Sequence, residues 1–339
     1  MERIHVWVNY SPTPEEKALM SSLWPPNATL HFDQSNNIDD LRAMLAEVDA
    51  VVGFVSKEVV EAAPRLKLVH MLGHGIESTL REGLRELLIE RGIAVARANP
   101  MSIAIAEYTI MCMIALTRRA FQFHEKLAYH ADRNETLRAK RMQHAIGGEL
   151  FGSTLGLVGF GNIGKEIAIR ARAFGMKLGA IARHPERIDR QRFGISFTAT
   201  LQDMNPFLGE CDYVVLCIPG TPATYDLMNK DRFDAMKEGS YLVNVARGSL
   251  IVEEALFEAL QSGKLAGAAL DVYRSDSKRP QSGYPFSYPI HHFNVIMTPH
   301  YAGSTNEARV RALQTIGENL TRLSKGESFI NLGDLEAGF

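Results

Sequence analysis

The clearest structural signal in the chain is the segment GSTLGLVGFGNIGKEIAIRA, Gly152–Ala171. An apolar strand candidate, Leu155–Val158, leads into three glycines with the spacing G-x-G-x-x-G, and a helix candidate follows them. Gly159 would permit a tight turn, Gly161 would let the backbone approach a pyrophosphate, and Gly164 would let the helix pack closely on the strand. Because the strand and the helix stand on either side of the glycines, the segment predicts a dinucleotide-binding βαβ unit.

The residues around these glycines indicate which dinucleotide would bind. The amides of Asn162 and Ile163 would face the pyrophosphate at the positive end of the helix. About 20 residues further on, an NAD site usually offers Asp or Glu to the ribose 2′-hydroxyl. This sequence has Arg183 and His184 there, and the first carboxylate is Glu186. Since an arginine can pair bidentately with a 2′-phosphate, we expect NADP(H) to be preferred, with NAD(H) as the alternative cofactor if Arg183 only stacks on adenine.

Short apolar runs alternate with helix-like segments along the whole chain, which is typical of parallel sheets covered by helices on both faces. The predicted strands are Ile4–Val8, Ala50–Phe54, Lys67–Met71, Ile93–Ala96, Leu155–Val158, Lys177–Ala182, Tyr213–Ile218, Ser240–Val245, Ala266–Val272 and Val295–Met297. The predicted helices include Pro14–Leu23, Ile38–Glu47, Glu82–Arg91, Ser102–Arg119 and Asn306–Leu323.

Length and composition exclude several classes of protein. At about 150 residues per domain, 339 residues predict two domains. A net charge of −2 argues against a nucleic-acid binder that works by bulk charge. Three irregularly spaced cysteines predict neither a disulfide framework nor a metal site, and the longest apolar stretch, Ile103–Thr117, is interrupted by Glu107. With no signal-peptide pattern at the start, we expect a cytoplasmic protein that does not bind membranes.

Three further motifs place polar side chains just after predicted strands. They are NVARGSLIVEEAL with Arg247, GAALDVYRSD with Asp271 and Asp276, and VIMTPHYAGST with His300. The carboxyl ends of strands in open α/β sheets are where ligands bind. An arginine there can hold a carboxylate and polarise a carbonyl, and a histidine can exchange a proton near neutral pH.

Taken in this order, the motifs resemble those of the D-isomer-specific 2-hydroxyacid dehydrogenases. The resemblance runs from about Ala50 to the C-terminus and is strongest over Gly148–Ser304. It implies two similar doubly wound parallel-sheet α/β domains with a cleft between them. The flavodoxin-like substrate domain would comprise residues 1–98 and 300–339, and the Rossmann nucleotide domain residues 99–299. The resemblance also implies a homodimer, built on the nucleotide domains and an arm over residues 120–147.

The resemblance implies a catalytic trio of Arg247, Asp276 and His300. Arg247 would bind the substrate carboxylate and C2 oxygen, His300 would protonate the keto oxygen, and Asp276 would orient the imidazole. The implied cofactor contacts are Gly159, Gly161, Asn162, Ile163, Gly164, Arg183, His184, Cys217, Pro219, Thr224, Val245, Ala246, Arg247, Asp271, His300 and Gly303, where Asp271 would hold the nicotinamide carboxamide. The implied substrate contacts are Val55, Gly73, His74, Gly75, Arg247 and His300.

Two positions depart from the family pattern. The family acid is normally Glu, whereas this sequence has Asp276. His74 stands where most relatives carry a small residue, and the similar phosphite dehydrogenases have a Lys there.

From the motifs and the resemblance together we predict reduction of a small 2-oxo acid to a D-2-hydroxy acid by NAD(P)H, with NADPH favoured. The alternatives are a phosphite-dehydrogenase-like oxidation and a non-catalytic, cofactor-sensing regulator of the same fold.

Overall fold

The chain forms two compact units in the computed structural model, which describes residues 2–35, 37–73, 75–76, 79, 81, 83–129, 147–274 and 286–336. The first unit comprises Met1–Met101 and Ser304–Phe339, and the second comprises Ser102–Gly303. Two predicted site residues, His74 and Asp276, and residues 130–146 of the predicted arm lie outside the described residues.

The first unit contains a five-stranded parallel sheet in the order β2-β1-β3-β4-β5. This is the flavodoxin-like strand order. The strands are β1 (Ile4–Asn9), β2 (Ala28–His31), β3 (Ala50–Gly53), β4 (Leu68–Met71) and β5 (Ala94–Arg97). The helices before Met101 are α1 (Pro14–Leu23), α2 (Ile38–Leu45), α3 (Lys57–Ala62) and α4 (Leu84–Glu90).

Each face of this sheet has its own apolar core, because successive side chains of a strand point to opposite faces. Trp7 and Val51 belong to the cluster that includes side chains of α2, α3 and α4. Val6 and Val52 belong to the other cluster, which includes side chains of α1 and of the last helix of the chain. The chain thus returns to this unit at its C-terminal end.

The second unit contains a seven-stranded parallel sheet in the order β12-β11-β10-β9-β6-β7-β8. Its strands are β6 (Thr154–Val158), β7 (Lys177–Ile181), β8 (Ile195–Ala199), β9 (Tyr213–Leu216), β10 (Ser240–Asn244), β11 (Leu265–Leu270) and β12 (Val295–Met297). Its helices are α5 (Ser102–Thr117), α6 (Ala120–Tyr129), α7 (Asn162–Ala173), α8 (Arg190–Phe193), α9 (Met204–Gly209), α10 (Lys230–Ala235) and α11 (Glu253–Gln261), and α12 (Asn306–Lys325) belongs to the first unit.

The strand register brings the predicted site residues to one edge of the second sheet. Val158 of β6 pairs with Ile181 of β7 and with Leu216 of β9. Leu270 of β11 pairs with Asn244 of β10 and with Met297 of β12. Because all seven strands are parallel, the residues that follow these positions leave the sheet at its carboxyl edge. The strand order reverses between β6 and β9, which is the switch point where such sheets bind ligands.

The helix predicted from Ser102 to Arg119 ends at Thr117 as α5 and is largely buried within the second unit. It packs on α7 and against β10, β11 and β12. None of the helices in the described part of the chain is long and apolar enough to cross a bilayer. The predicted fold class of two doubly wound α/β domains is confirmed.

Candidate active site

The glycine turn after β6 has a backbone that only glycine fits. Gly159 has φ +108°, and a Cβ there would lie 2.5 Å from the carbonyl oxygen of Cys217. A Cβ on Gly164 would lie 2.6 Å from the carbonyl oxygen of Gly159. The turn and the first part of α7 are therefore packed against each other and against the loop after β9, as the sequence motif predicts.

The N-terminus of α7 is open to a ligand. A Cβ on Gly161, the N-cap residue, would have no heavy atom within 4 Å. The first intrahelical bond runs from the amide of Lys165 to the carbonyl of Gly161, so the amides of Asn162 and Ile163 have no intrahelical acceptor. A helix N-terminus with free amides and open space beside a glycine suits the pyrophosphate of a dinucleotide.

Cys217, the first residue after β9, holds the glycine turn in place. Its Sγ donates to the carbonyl oxygen of Gly159 at 3.0 Å. Burial raises the pKa of the Cys217 thiol to about 12, so the sulfur remains a protonated donor at neutral pH. The side chain thus supports the predicted cofactor site through the backbone of the glycine turn.

Arg183 and His184 lie two and three residues after the end of β7, and both are exposed. Nδ1 of His184 lies 3.3 Å from Oε1 of Glu186, and Nε of Arg187 lies 3.9 Å from the same oxygen. The first carboxylate after β7 is therefore close to two basic side chains. The surface here carries more basic than acidic groups.

The loop after β9 is held by hydrogen bonds between the side chain of Thr224 and the loop backbone. Oγ1 of Thr224 donates to the carbonyl oxygen of Pro219 at 2.8 Å and accepts from the amide of Thr221 at 2.8 Å. The Thr224 side chain is buried. Its hydroxyl therefore fixes the shape of the segment that the resemblance assigns to the cofactor.

Arg247 is held at the end of β10 by a buried asparagine. Oδ1 of Asn244 accepts from the amide of Ala246 at 3.0 Å, and Nδ2 of Asn244 donates to the carbonyl oxygen of Arg247 at 2.9 Å. A Cβ on Gly248 would lie 2.0 Å from the carbonyl carbon of Tyr273. Glycine at this position thus permits the segment after β10 to lie directly against the segment after β11.

Asp271 follows β11 and is only 2% exposed. Its Oδ1 accepts from the hydroxyl of Thr298 at 2.6 Å and from the amide of Tyr301 at 2.7 Å. Its Oδ2 accepts from the amide of Ala302 at 3.0 Å. The carboxylate thereby ties together the loop that contains His300, and Oδ2 keeps acceptor capacity for a further donor.

His300 occupies a strained backbone conformation in this loop. Its φ is +58°, which is uncommon outside glycine and marks positions that the surrounding structure must hold. Its amide points to the carbonyl oxygens of Asp271 at 2.8 Å and Thr298 at 2.9 Å. The residue is exposed, so the imidazole is accessible to a small molecule. Val245 and Gly303, also predicted cofactor contacts, lie in the segments after β10 and β12.

The predicted substrate residues of the first unit also gather at a carboxyl edge. Val55 lies just after β3, and Gly73 and Gly75 lie just after β4, which pairs with β3. Val55 is buried in the apolar cluster of that face. No group of three or more His, Cys, Asp or Glu able to hold a metal ion occurs among the described residues.

Comparisons with known proteins show the family of the chain. The family model of the "D-isomer specific 2-hydroxyacid dehydrogenase, NAD binding domain" matches residues 110–302, more than half of the chain. The chain is 32% identical to the glyoxylate reductase of Thermococcus kodakarensis over 291 residues, which cover 83% of this chain and 81% of that protein. This chain belongs to the D-isomer specific 2-hydroxyacid dehydrogenase family.

Other members of the family differ from the chain in length. It is 34% identical to the D-3-phosphoglycerate dehydrogenase of Methanocaldococcus jannaschii over 274 residues, which cover 80% of this chain but 48% of that protein. The chain thus spans about half the length of the phosphoglycerate dehydrogenases that it matches. A D-isomer specific 2-hydroxyacid dehydrogenase from Xanthobacter autotrophicus, solved with NADPH and MES, shares the fold with a TM-score of 0.78, 24% identity and full coverage of both chains.

Two side chains that shape this candidate site carry no individual signal in the sequence. In the sequence, Asn244 is a polar residue at the end of an apolar strand, and Thr298 is one of the two residues between a strand and His300. Their positions in the sequence, three residues before Arg247 and directly before the Pro-His pair, are the only indication that they face the site. The hydrogen bonds of both become evident only in the folded chain.

Proposed function

We propose that this chain reduces a small 2-oxo acid to a D-2-hydroxy acid by hydride transfer from NAD(P)H, with NADPH favoured. The observation that carries the proposal is that Arg247, Asp271 and His300 follow three neighbouring parallel strands at the sheet edge that also holds the glycine turn. The first unit would bind the substrate and the second the dinucleotide.

Arg247 would recognise the substrate. A guanidinium offers a rigid fork of donors that suits a carboxylate and can polarise the neighbouring C2 carbonyl oxygen. The side chain of Asn244 holds the backbone of Arg247, so the Arg247 side chain extends from a fixed backbone position. The backbone amides near Gly73, His74 and Gly75, together with Val55, would complete the substrate contacts from the first unit.

His300 would exchange the proton. As a general acid it would donate to the keto oxygen while the C2 carbon is reduced, and it would take the proton back in the reverse direction. Asp276 would orient the imidazole and stabilise its protonated form, as the resemblance to the family implies.

The described residues fit a nicotinamide dinucleotide. When bound, the dinucleotide would supply the hydride. The N-terminus of α7 would hold its pyrophosphate, and the remaining acceptor capacity of Asp271 would suit its carboxamide. Arg183 and His184 would face the 2′-phosphate, and Pro219, Thr224, Val245, Ala246 and Gly303 would line the rest of the site.

A panel of 2-oxo acids tests the proposed activity. We expect oxidation of NADPH with at least one of glyoxylate, hydroxypyruvate, pyruvate and the branched or aromatic 2-oxo acids. Turnover of phosphite with NADP⁺ but of no 2-oxo acid would favour the phosphite alternative. Binding of the dinucleotide without turnover of any substrate would favour the cofactor-sensing alternative.

Arg183→Ala tests the preference for NADPH. Loss of a charge-assisted pair with the 2′-phosphate costs about 1.5–3 kcal/mol, so kcat/KM with NADPH should fall roughly 10- to 150-fold. The value with NADH should stay within about threefold of the wild type. Arg187→Ala, an exposed arginine four residues on, is the matched control and should alter neither. Comparable kcat/KM values for the two cofactors in the wild type would contradict the preference.

The same proposal includes a homodimer. Met111 and Ile114 on α5 and Ile169 on α7 are large apolar side chains that are exposed on helices packed together. Such a surface is typical of a subunit interface, and a second copy of the chain is its expected occupant. Ile169→Glu should shift the molar mass measured by light scattering from dimer to monomer. A monomeric wild type would contradict the dimer.

We also place the protein in the cytoplasm. The three cysteines are free thiols, and Cys112 and Cys211 are buried. This supports a reducing compartment.

A further inference from the structure

A chain of hydroxyl groups connects the buried helix α5 to the loop that contains His300. Oη of Tyr108 lies 2.6 Å from Oγ1 of Thr298. Oγ1 of Thr298 lies 2.6 Å from Oδ1 of Asp271. Tyr108 belongs to no motif of the site, and its hydroxyl is connected to the carboxylate of Asp271 through two successive hydrogen bonds.

The direction of these hydrogen bonds follows from the chemistry of the groups. A carboxylate only accepts, so the hydroxyl of Thr298 donates to Asp271. The lone pairs of Thr298 are then the acceptors for Tyr108, whose phenol must donate. Burial raises the pKa of Tyr108 above its ordinary value, and the Cys112 thiol beside it adds to the rise. The phenol therefore keeps its proton at neutral pH.

The arrangement bears directly on the backbone of His300. A left-handed conformation in a residue other than glycine is unfavourable, and it persists only where neighbouring groups hold it. On one side of His300, Thr298 is held by Tyr108 and by the phenol of Tyr273, which donates to its carbonyl oxygen. On the other side, the amide of Tyr301 is held by Asp271.

We propose that Tyr108 is a positioning residue for the reaction. Its hydroxyl orients Thr298 and Asp271, and through them it holds His300 in the left-handed conformation that presents the imidazole to the substrate. This inference rests on the proposed function for its effect on turnover. Its effect on the conformation of His300 does not depend on substrate or cofactor and can be measured in the protein without ligands.

The test compares Tyr108→Phe with a closely matched variant, Tyr213→Phe. The Tyr213 hydroxyl lies 2.6 Å from Oγ1 of Thr117, on the same helix α5. Both substitutions therefore remove one tyrosine–threonine hydrogen bond that ties α5 to the rest of the unit. Only the first of these bonds leads to Asp271.

The first measurement is the ring-proton resonance of His300 by NMR in the protein without ligands, assigned by its absence in His300→Asn. We expect Tyr108→Phe to shift or split this resonance and Tyr213→Phe to leave it unchanged. The second measurement is steady-state turnover. We expect kcat of Tyr108→Phe to fall about tenfold with the KM for the 2-oxo acid within about twofold, and Tyr213→Phe to match the wild type.

The double variant Tyr108→Phe/Thr298→Val keeps the inference testable if the single change has other effects on the fold. Because both changes interrupt the same chain, the double variant should lose no more kcat than Thr298→Val alone. Thr298→Ser, which retains the hydroxyl, should restore most of the wild-type kcat. Additive losses would overturn the inference.

The two proposals fail in different ways. Equal effects of Tyr108→Phe and Tyr213→Phe on the His300 resonance, or no effect of either, would overturn the role of Tyr108. A wild-type protein that turns over no 2-oxo acid would overturn the proposed function instead, and the NMR comparison would still decide whether Tyr108 holds His300.

Discussion

Nδ2 of Asn244 donates a hydrogen bond of 2.9 Å to the carbonyl oxygen of Arg247, three residues further along the chain. The same side chain accepts from the amide of Ala246 through its Oδ1. One buried amide group therefore satisfies the two backbone groups that begin the segment after β10. The position of the arginine is thus set by the strand end and does not depend on a flexible loop.

Replacing this amide by a carboxylate should weaken catalysis. In Asn244→Asp the acceptor for Ala246 remains, but an oxygen replaces the donor that faces the carbonyl of Arg247. We expect kcat/KM for the 2-oxo acid to fall about tenfold, which corresponds to about 1.4 kcal/mol and to the loss of a buried hydrogen bond. Steady-state kinetics at a saturating concentration of NADPH measure this loss.

Asn229→Asp serves as the control for that variant. Asn229 caps α10 by accepting from the amide of Arg232. Aspartate caps helices as well as asparagine does, so this change should leave kcat/KM within about twofold of the wild type. A wild-type kcat/KM in Asn244→Asp would contradict the role that we assign to the Asn244 amide.

Two alanine substitutions in the glycine turn should separate binding from stability. In Gly161→Ala the new methyl group would enter open space beside the N-terminus of α7. It should collide with a bound pyrophosphate, and we expect the Kd for NADPH to rise at least about tenfold. The melting temperature should fall by only a few degrees, since alanine is a poorer N-cap than glycine by about 1 kcal/mol.

Gly164→Ala should give the opposite result. Its methyl group would lie 2.6 Å from the carbonyl oxygen of Gly159, so the helix and the turn must separate. Calorimetry should show a clearly lower melting temperature for the second unit. If Gly161→Ala bound NADPH as tightly as the wild type, the pyrophosphate would not lie at this helix end.

The stability of the first unit should depend on pH through His70. This histidine is fully buried, its Nδ1 donates to the carbonyl oxygen of Met71, and its Nε2 accepts from Asn319. Burial lowers the pKa of His70 from 6.5 to about 4. Between these two values the unfolded chain binds the extra proton, so stability is complete above about pH 6.5 and is lost as the pH falls towards 4.

Urea unfolding at pH 7 and pH 5 measures this effect. The wild type should lose about 2 kcal/mol more than His70→Gln over this interval. Tryptophan fluorescence follows the first unit alone, because the two tryptophans, Trp7 and Trp24, both lie there. His184→Gln, which removes an exposed histidine of the second unit, should behave as the wild type does. Equal losses in His70→Gln and the wild type would show that His70 does not titrate in this range.

Elements that are long or continuously apolar are predicted best from the sequence. The helix Pro14–Leu23 is predicted to the residue, because Pro14 stands at its start and Thr13 and Glu16 form a capping box. The strand Val295–Met297 is also predicted to the residue. The edge strands β2 and β8 are missed, because each is short and only partly buried, so their apolar pattern is weak.

The site is predictable to the level of individual strand ends and no further. Parallel strands with polar residues after them place Arg247, Asp271 and His300 at one edge, and this requires only the order of the motifs. The contacts of Asp271 with Thr298 and the amides beyond His300 depend on the register of β11 with β12, which no local pattern encodes. Tyr108 joins them only because α5 packs across these strands.

The central claim is that the imidazole of His300 exchanges the proton during reduction of a 2-oxo acid by NADPH. The most direct test is kcat of His300→Asn, since asparagine tolerates the left-handed backbone but cannot act as the acid. We expect kcat to fall about 10²- to 10⁴-fold, with the Kd for NADPH within about threefold of the wild type and the D-enantiomer as the wild-type product. A His300→Asn variant that keeps more than half of the wild-type kcat would contradict the claim.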